Sequence, residues 1–185
     1  MKALKKIYTA LMLLAFAFVF ASCSSGSDSD DDDDQSITLS DGSYTLAITK
    51  TSDSDGMVEK YDIKATASNE SWTFKSGSKT QNVDLTKQMS TDELTAFNKK
   101  DYDVKKAEAK EHMKFPNDAE ISFDDNKVIA KSNLSDAELT KMQEDYKLSL
   151  IPSDAKIKTI KDKTEYEITM STKEWETIVF HVNKD

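Results

Sequence analysis

The stretch from Thr51 to Asp62 could do chemistry, because its letters, TSDSDGMVEKYD, imitate a calcium-binding loop. Positions 1, 3, 5, 6 and 12 of an EF-hand-like loop fall on Thr51, Asp53, Asp55, Gly56 and Asp62. Such a loop needs a carboxylate at position 1, a bidentate Glu at position 12 and a helix on either side. The flanking residues here alternate as strands do. We therefore predict a polar β-hairpin turn with Gly56 at a positive φ, and no metal site.

Ser76 and Lys79 have the S-x-x-K spacing of a serine–lysine nucleophile pair. That pair belongs at the start of a helix and works with S-D-N and K-T-G partners. Here Gln81 follows Lys79 and Thr80, and the polar letters SGSKT favour a turn. The same letters fall short of the G-x-x-x-x-G-K-[ST] pattern of a phosphate-binding P-loop. We expect neither chemistry from this segment.

The two histidines, His112 and His181, stand far apart in the sequence. Glu108 and His112 are spaced i, i+4, which could hold a metal ion on one helix face, but an exposed helical pair is the better interpretation. His181 lies in an apolar strand and is expected to be a paired, semi-buried ring. Because no nucleophile, base and orienting group can be singled out, we predict no enzymatic activity, no metal and no cofactor.

The aromatic residues of the predicted strands are the positive indication of a binding surface. Trp72 and Trp175 are the candidate ligand contacts, and Tyr44, Tyr61 and Tyr166 accompany them. Exposed, these rings would form stacking platforms for sugars. Buried, they would be large core residues, and this is the interpretation we favour.

Cys23 is the one cysteine of the chain and closes an apolar segment, Ala10–Phe20, that follows three lysines. A basic start, a short apolar run and small residues before a cleavage site are typical of a secretory signal. As a helix this run would span about 16 Å, against about 30 Å for a bilayer core. We therefore predict a signal peptide over residues 1–22. A lone cysteine in an exported protein is either a free or intermolecular thiol or a lipidation site.

The four residues Phe20-Ala21-Ser22-Cys23 resemble a bacterial lipobox. The resemblance implies that Cys23 is acylated, with palmitate as a typical chain, and becomes the mature N-terminus. Each buried methylene of such a chain adds about 0.8 kcal/mol of membrane affinity. We therefore expect an outer-membrane lipid anchor at Cys23.

An acidic run follows the cysteine and is similar to the export signal of Bacteroidetes surface lipoproteins. Its members are Ser27, Asp28, Ser29, Asp30, Asp31, Asp32, Asp33 and Asp34. The resemblance implies display on the outer face of the outer membrane, with attachment facing the periplasm as the alternative. Like charges also repel one another, so residues 23–35 are expected to be a lipidated, disordered tether. Residues 36–185 then form a single domain.

The charge balance argues against nucleic acid as a partner. The chain has a net charge of −9, and all 25 of its basic residues are lysine. Arginine is the preferred fork for phosphate and base edges, and an acidic protein gains little from the phosphate backbone. We expect the outer membrane, through the anchor, as one partner.

Most of residues 36–185 alternate between apolar and polar types, the pattern of half-buried strands. Ten segments show this pattern and indicate about nine strands; the segments are Tyr44–Lys50, Tyr61–Ala67, Ser71–Phe74, Asn82–Leu85, Ile121–Phe123, Val128–Ala130, Tyr146–Leu150, the residues around Ile157, Tyr166–Met170 and Trp175–Val182. The last is apolar on both faces, which predicts a central or doubly covered strand. Asp124–Asn126 is the expected hairpin turn. One-sided alternation favours an antiparallel sheet with one wet face.

Two helices are expected to interrupt the strands, each with a capping box that begins at Ser90 or Ser135. A further helical piece, Val104–Met113, would follow the first and end before Pro116. The predicted class is α+β and mainly antiparallel. An open sheet backed by the helices and a closed barrel of the lipocalin or calycin type both satisfy the pattern.

The functional expectation is a lipid-anchored surface protein that acts as a non-catalytic binding or accessory module. Its ligand would be a glycan, a small apolar molecule or another envelope protein. One alternative is a lipocalin-like carrier with an interior pocket lined by residues such as Tyr61, Ile63, Trp72 and Phe123. Another is a component of a surface assembly, which would need an uncovered apolar edge or a large flat patch.

Overall fold

A computed structural model describes residues 37–68, 71–147, 151–161 and 163–185. The predicted signal peptide, Cys23, the acidic run and the predicted strand residues Leu148 and Leu150 lie outside the described residues. Within them are the strands β1 (Gly42–Ser52), β2 (Met57–Ser68), β3 (Ser71–Asp84), β4 (Glu120–Asp124), β5 (Lys127–Asn133), β6 (Lys156–Lys161), β7 (Glu165–Met170) and β8 (Thr177–Lys184), and the helices α1 (Leu85–Gln88), α2 (Thr91–Asn98), α3 (Tyr102–Met113) and α4 (Asp136–Asp145).

The described strands form one antiparallel sheet in the order β4-β5-β3-β2-β1-β8-β7-β6. This confirms the predicted mainly antiparallel sheet with helices. The barrel alternative is wrong, because β4 and β6 are the two edges of the sheet and do not pair with each other. β8 is central, as its apolar sequence predicts, but it is covered on one side, since His181 and Asn183 are exposed.

The sheet buries one face, called here the inner face, which is lined by Leu46, Ile48, Ile63 and Phe180 and by the residues paired with them. Strict alternation places every second side chain on this face. The exposed residues of β2, such as Lys60, point to the opposite, outer face. A fully buried Ile or Leu contributes about 1.5–3 kcal/mol, so this one-sided pattern determines the register of the strands.

Two separate core clusters cover the inner face. The first joins β1, β2, β8 and the start of β3 to Leu139 and Met142 of α4. The second joins Val83 at the end of β3 to α1, to Phe97 of α2, to α3 and to the β4–β5 hairpin. Amphipathic helices bury their apolar stripe in this way, and the capping boxes predicted at Ser90 and Ser135 are both present.

The predicted elements differ from the observed ones in several places. The segments expected as separate strands, Ser71–Phe74 and Asn82–Leu85, belong to the continuous β3 and to α1. Tyr146 is the C-cap of α4 rather than the first residue of a strand. Trp175, predicted to begin the last strand, lies in the loop before β8, which starts at Thr177. The described part of the chain therefore holds eight strands and four helices, instead of about nine strands and two helices with a further helical piece. That piece, predicted over Val104–Met113, is α3, and α1 is the helix that was not predicted. None of its helices is long and apolar enough to cross a membrane.

Candidate functional site

Four polar side chains lie on the inner face between the two core clusters, and we call them the polar row. Lys50 pairs in register with Glu59, and Glu59 pairs with Gln81. Lys79 is the inner-face residue that precedes Gln81 on β3, and it pairs in register with Tyr61. Apolar residues of the first cluster precede the row on β1, and Val83 of the second cluster follows it on β3. The row therefore separates the two clusters.

Glu59 is the buried centre of the polar row. Its Oε1 lies 2.9 Å from Lys79 Nζ and accepts a hydrogen bond of 2.8 Å from Gln81 Nε2. The Tyr61 hydroxyl donates to Oε2. The side chains of Lys79 and Glu59 are 17% and 9% exposed, so the pair is largely removed from water. Charge-assisted hydrogen bonds of this kind are the ones that make a buried carboxylate tolerable.

The protonation states in the polar row follow from this geometry. Burial acts to raise the pKa of Glu59, but Lys79, the Tyr61 hydroxyl and Lys50 outweigh it and hold that pKa below its usual range. Burial and the neighbouring Glu59 carboxylate raise the pKa of Tyr61. Glu59 is therefore a stable anion and Tyr61 a stable donor at neutral pH.

The Lys50 ammonium lies among three aromatic rings, which we call the aromatic cage. Its Nζ is 4.9 Å from the ring centre of Tyr61, 5.4 Å from that of Tyr146 and 5.6 Å from that of Trp175. A cation within about 6 Å of a ring centre is attracted by the negative face of the ring. Burial lowers the pKa of Lys50, whereas Glu59, Asp145 and Glu174 oppose the shift.

Three elements position the rings of the cage. Tyr61 comes from β2, and Tyr146 ends α4, where its ring packs edge-on against Phe180 at 4.9 Å. Trp175 lies in the β7–β8 loop, where its backbone N–H donates to Thr172 Oγ1 and its carbonyl accepts from Thr172 N, at 3.1 Å and 2.9 Å. Tyr146 and Trp175 are half-buried, so the cage reaches the surface.

The two tryptophans predicted as ligand contacts have different surroundings. Trp175 belongs to the aromatic cage. Trp72 is 6% exposed and packs in the first core cluster, 5.6 Å from the ring of Phe74. Its Nε1 has no hydrogen-bond partner among the described residues. Tyr44, Tyr61 and Tyr166 are also buried, which confirms the core interpretation for these residues. Contact of Trp72 or Trp175 with a ligand stays a prediction.

The calcium-like loop is the predicted β1–β2 hairpin turn. Gly56 has a φ of +63°, as expected, and Asp62 lies within β2, opposite Ala47 and far along the strand from the turn. Across the described ranges, no three His, Cys, Asp or Glu side chains are grouped closely enough to hold a metal ion. The structure therefore supports a turn at this position.

The remaining candidates are not brought together. Ser76 and Lys79 lie within β3, so the predicted turn at SGSKT is wrong, and a strand cannot present an S-x-x-K pair as a helix start does. His112 is exposed on α3, and Glu108, the other member of the i, i+4 pair, binds Lys100 at 2.6 Å. His181 is on the outer face, 3.5 Å from Glu167, with a side chain that is 53% exposed. The ring is paired as predicted, although it is more exposed than semi-buried.

The interior pocket predicted for a barrel is also wrong. Tyr61, Ile63 and Trp72 pack in the first core cluster, whereas Phe123 packs against the second. A shallow depression of about 530 Å³ lies instead near the β1–β2 turn. Its walls mix carboxylates with lysines, such as Asp84 with Lys127, and it shares no residue with the aromatic cage.

Lys50, Glu59 and Gln81 were not identified from the sequence, and Lys79 was considered only as half of an S-x-x-K pair, although the positions of Lys50 and Glu59 carry a signal. In β1, Lys50 continues the buried series of Tyr44, Leu46 and Ile48. In β2, Glu59 is in phase with Tyr61 and the buried residues that follow. A charged residue in phase with a buried stripe must be paired or must face a site, because an isolated buried charge is costly.

Comparison with protein-family models, with curated proteins and with solved structures found no significant match.

Proposed function

We propose that this protein is a lipid-anchored module of the outer cell surface that binds a glycan without catalysing a reaction. The lipobox-like sequence at Cys23 and the acidic run Ser27–Asp34 support the proposed localisation at the cell surface. The aromatic cage and the polar row support the binding role. Ligand sites typically combine aromatic walls with a few well-placed polar groups, and this combination occurs here.

The half-buried ring of Trp175 is the observation that carries the proposal. Most large aromatic residues of the inner face are fully enclosed, but Trp175 and Tyr146 reach the surface. Both rings pack against the apolar first core cluster on one side and also face the Lys50 ammonium. A sugar ring offers an apolar face for stacking and hydroxyls for hydrogen bonds, so it fits this surface better than a purely apolar molecule does.

The state of the polar row favours binding over catalysis. General acids and bases work best with a pKa near the working pH. The pKa of Glu59 is shifted downwards and that of Tyr61 upwards, so both groups hold one protonation state near neutrality. The oxygens of Glu59 already accept from Lys79, Gln81 and Tyr61. These contacts suit a rigid supporting network.

The rival functions receive less support. A lipocalin-like carrier would need the closed barrel that the sheet does not form. An assembly component would need a broad apolar patch, whereas the large exposed hydrophobic side chains among the described residues are Tyr102, Val104 and Ile160, on α3 and β6. Side chains scattered in this way are ordinary for a soluble surface.

A glycan array probed with the detergent-solubilised lipoprotein tests the binding role. We expect binding to at least one glycan class, and a loss of at least tenfold in Trp175→Ala. Lys173→Ala, which changes an exposed residue of the same loop, is the matched control and should bind as the original does. Absence of binding to any glycan, or equal binding by Trp175→Ala, would overturn the proposal.

Two cell experiments test the proposed lipid anchor and the proposed location on the cell surface. Labelling with a palmitate analogue should mark the original protein and not Cys23→Ala. Protease added to intact cells should remove the domain, and replacement of the aspartates of the acidic run by serine should protect it. Protection of the original protein, in cells that are shown to be intact, would place it on the periplasmic side instead.

A further inference from the structure

We infer that the aromatic cage is a recognition site for an organic ammonium group, that Lys50 occupies it as a built-in competitor, and that the ligand is an amine-bearing sugar. This inference rests on the proposed function and specifies its ligand class. It assigns a role to Tyr61, Tyr146 and Trp175 as the walls of a cation site.

The cage already holds an ammonium group, which is direct evidence of what fits it. Three ring faces from three separate elements meet at 4.9–5.6 Å from a single Nζ atom. Several rings around one cation form the cages that bind alkylated ammonium groups. Packing against Phe180 positions the Tyr146 ring, and hydrogen bonds between the Trp175 backbone and Thr172 fix the loop that carries Trp175.

The charges around the cage also favour a cation. Glu59 lies opposite Lys50 in the sheet register, and Asp145 and Glu174 are the chain neighbours of Tyr146 and Trp175. All three carboxylates act on the Lys50 ammonium. Lys79 balances Glu59, which leaves the two rim carboxylates to attract an incoming positive group. An anionic ligand would meet repulsion at the same rim.

Lys50 is held in a way that allows exchange. The ion pairs of the described residues do not include it, and its ammonium is held by ring faces and by charges at longer range. The side chain is half-buried and has a flexible four-carbon stem, so a change of rotamer would bring it to the exposed Asp145 and Glu174. An external ammonium can then take its place among the rings.

An amino sugar satisfies both parts of the site. Its ammonium would fill the cage, and its ring would stack on the half-buried face of Trp175. Acetylation of the amine removes the positive charge, as it does for lysine, so an N-acetylated sugar should bind poorly. A neutral sugar without the amine would lack the cation contact as well.

Titration with tetramethylammonium, followed by NMR, tests the cage without reference to any glycan. The indole N–H signal of Trp175 should shift on binding, while that of the buried Trp72 serves as an internal reference. Removal of the competitor in Lys50→Ala should strengthen binding at least tenfold. Lys60→Ala, which removes an exposed lysine from the outer face, should leave it unchanged. Equal affinity of Lys50→Ala and the original, or no shift in either, would overturn the inference.

A second pair of variants separates the ring's charge attraction from its bulk. In the Lys50→Ala background, Trp175→Phe should retain tetramethylammonium binding, and Trp175→Leu should lose it, as read from the backbone amide of residue 175. Thermal unfolding of both variants shows whether the fold is intact. Equal binding by the two folded variants would contradict a cation–π site.

Direct comparison of glucosamine, N-acetylglucosamine and glucose identifies the ligand class. We expect glucosamine to bind at least tenfold more tightly than the other two. If the array finds a neutral glycan that depends on Trp175, and neither glucosamine nor tetramethylammonium binds, the ammonium inference fails while the proposed function stands. If tetramethylammonium binds but no glycan does, the proposed function and the assignment of an amino sugar both fail, and only the cation site in the cage stands.

Discussion

Glu59 shows how a carboxylate can be kept inside an apolar sheet face. Its partners come from its own strand and from β3, so the sheet register itself brings them together. Such a pair is a weak source of net stability, since both charges lose water. Loss of one partner is much more harmful than the absence of both.

Lys79→Met should therefore destabilise the protein by about 3 kcal/mol, because it leaves Glu59 buried with less compensation. Urea denaturation measures the change in the free energy of unfolding. Lys131→Met, which removes an exposed lysine from β5, is the matched control and should change it by less than about 0.5 kcal/mol. An effect of Lys79→Met as small as that of the control would contradict a buried ion pair.

Acid should weaken the protein through Glu59. The pKa of this residue in the folded state is below its ordinary value of 4.5, so its contribution is complete above that value and is lost as the pH falls towards the folded pKa. Glu59→Gln should have a lower free energy of unfolding than the original at pH 7, and this difference between the two proteins should be smaller at pH 3. Chemical unfolding at both pH values measures it, and a constant gap would refute the coupling.

At the level of single residues, the sequence indicated that the site would contain aromatic residues, but it did not identify most of the residues that form it. Trp175 was identified as a candidate contact because aromatic rings on predicted strands could stack on a sugar if they were exposed. Lys50 and Glu59 were not identified, because charged residues are usually solvated and no local letter shows which partners a strand will have. Their partners lie on neighbouring strands, and such pairing depends on register.

Helices α2 and α4 each begin at a complete capping box. In α4, Ser135 Oγ accepts from Glu138 N, and Glu138 Oε2 accepts from Ser135 N, at 3.3 Å and 2.8 Å. This helix places Leu139, Met142 and Tyr146 over the first core cluster. Its start therefore also sets one wall of the aromatic cage.

Ser135→Ala should lower the free energy of unfolding by about 1 kcal/mol, because the N-terminal N–H groups of α4 lose their acceptor. Ser135→Asp keeps an acceptor and is the matched control, which should stay within a few tenths of the original. Urea denaturation distinguishes the two. Equal stability of both variants would mean that the cap does not limit α4.

Helix starts and the hairpin turns were predictable because their signals are local. Both capping boxes, the positive φ of Gly56 and the turn after Asp124 follow from a few adjacent residues. β3 was divided into two predicted strands because its middle is polar. Within that stretch, position 77 requires glycine, since an added Cβ would lie 2.9 Å from the Asp62 carbonyl oxygen and from Leu134 Cδ1.

The whole molecule protects its two open edges by different means. At β4, the Tyr102 hydroxyl donates to the Ile121 carbonyl at 2.7 Å, so α3 covers part of that edge. At the other edge, β6 carries exposed lysines and a register shift between Thr159 and Lys161. Charge and irregular pairing are common defences against edge-to-edge association.

Replacement of Lys156, Lys158 and Lys161 by threonine should make the protein associate at high concentration. The substitution removes the charges and raises β-propensity at an unpaired edge. Light scattering over a range of concentrations measures association. The same three positions changed to arginine keep the charge and should stay monomeric, and a monomeric threonine variant would show that the bulge alone protects β6.

The sheet order was beyond prediction because it depends on distant pairing. β1 lies between β2, its neighbour in the chain, and β8, the last strand. Alternation identifies the strands and their buried face, but the same pattern suits an open sheet and a barrel. The choice is made by where the helices cover the face, and that needs three-dimensional packing.

The division of the inner face into two clusters has a consequence for local unfolding. Few elements belong to both clusters, with β3 as the main link, so the β4–β5 end can open while the rest of the sheet stays closed. Phe97→Ala should therefore speed amide hydrogen exchange in β4 and β5 and leave β1 and β8 nearly unchanged, as mass spectrometry can show. A destabilising substitution at the β4–β5 end would therefore increase local opening there. The aromatic cage lies at the other end, where exchange stays slow.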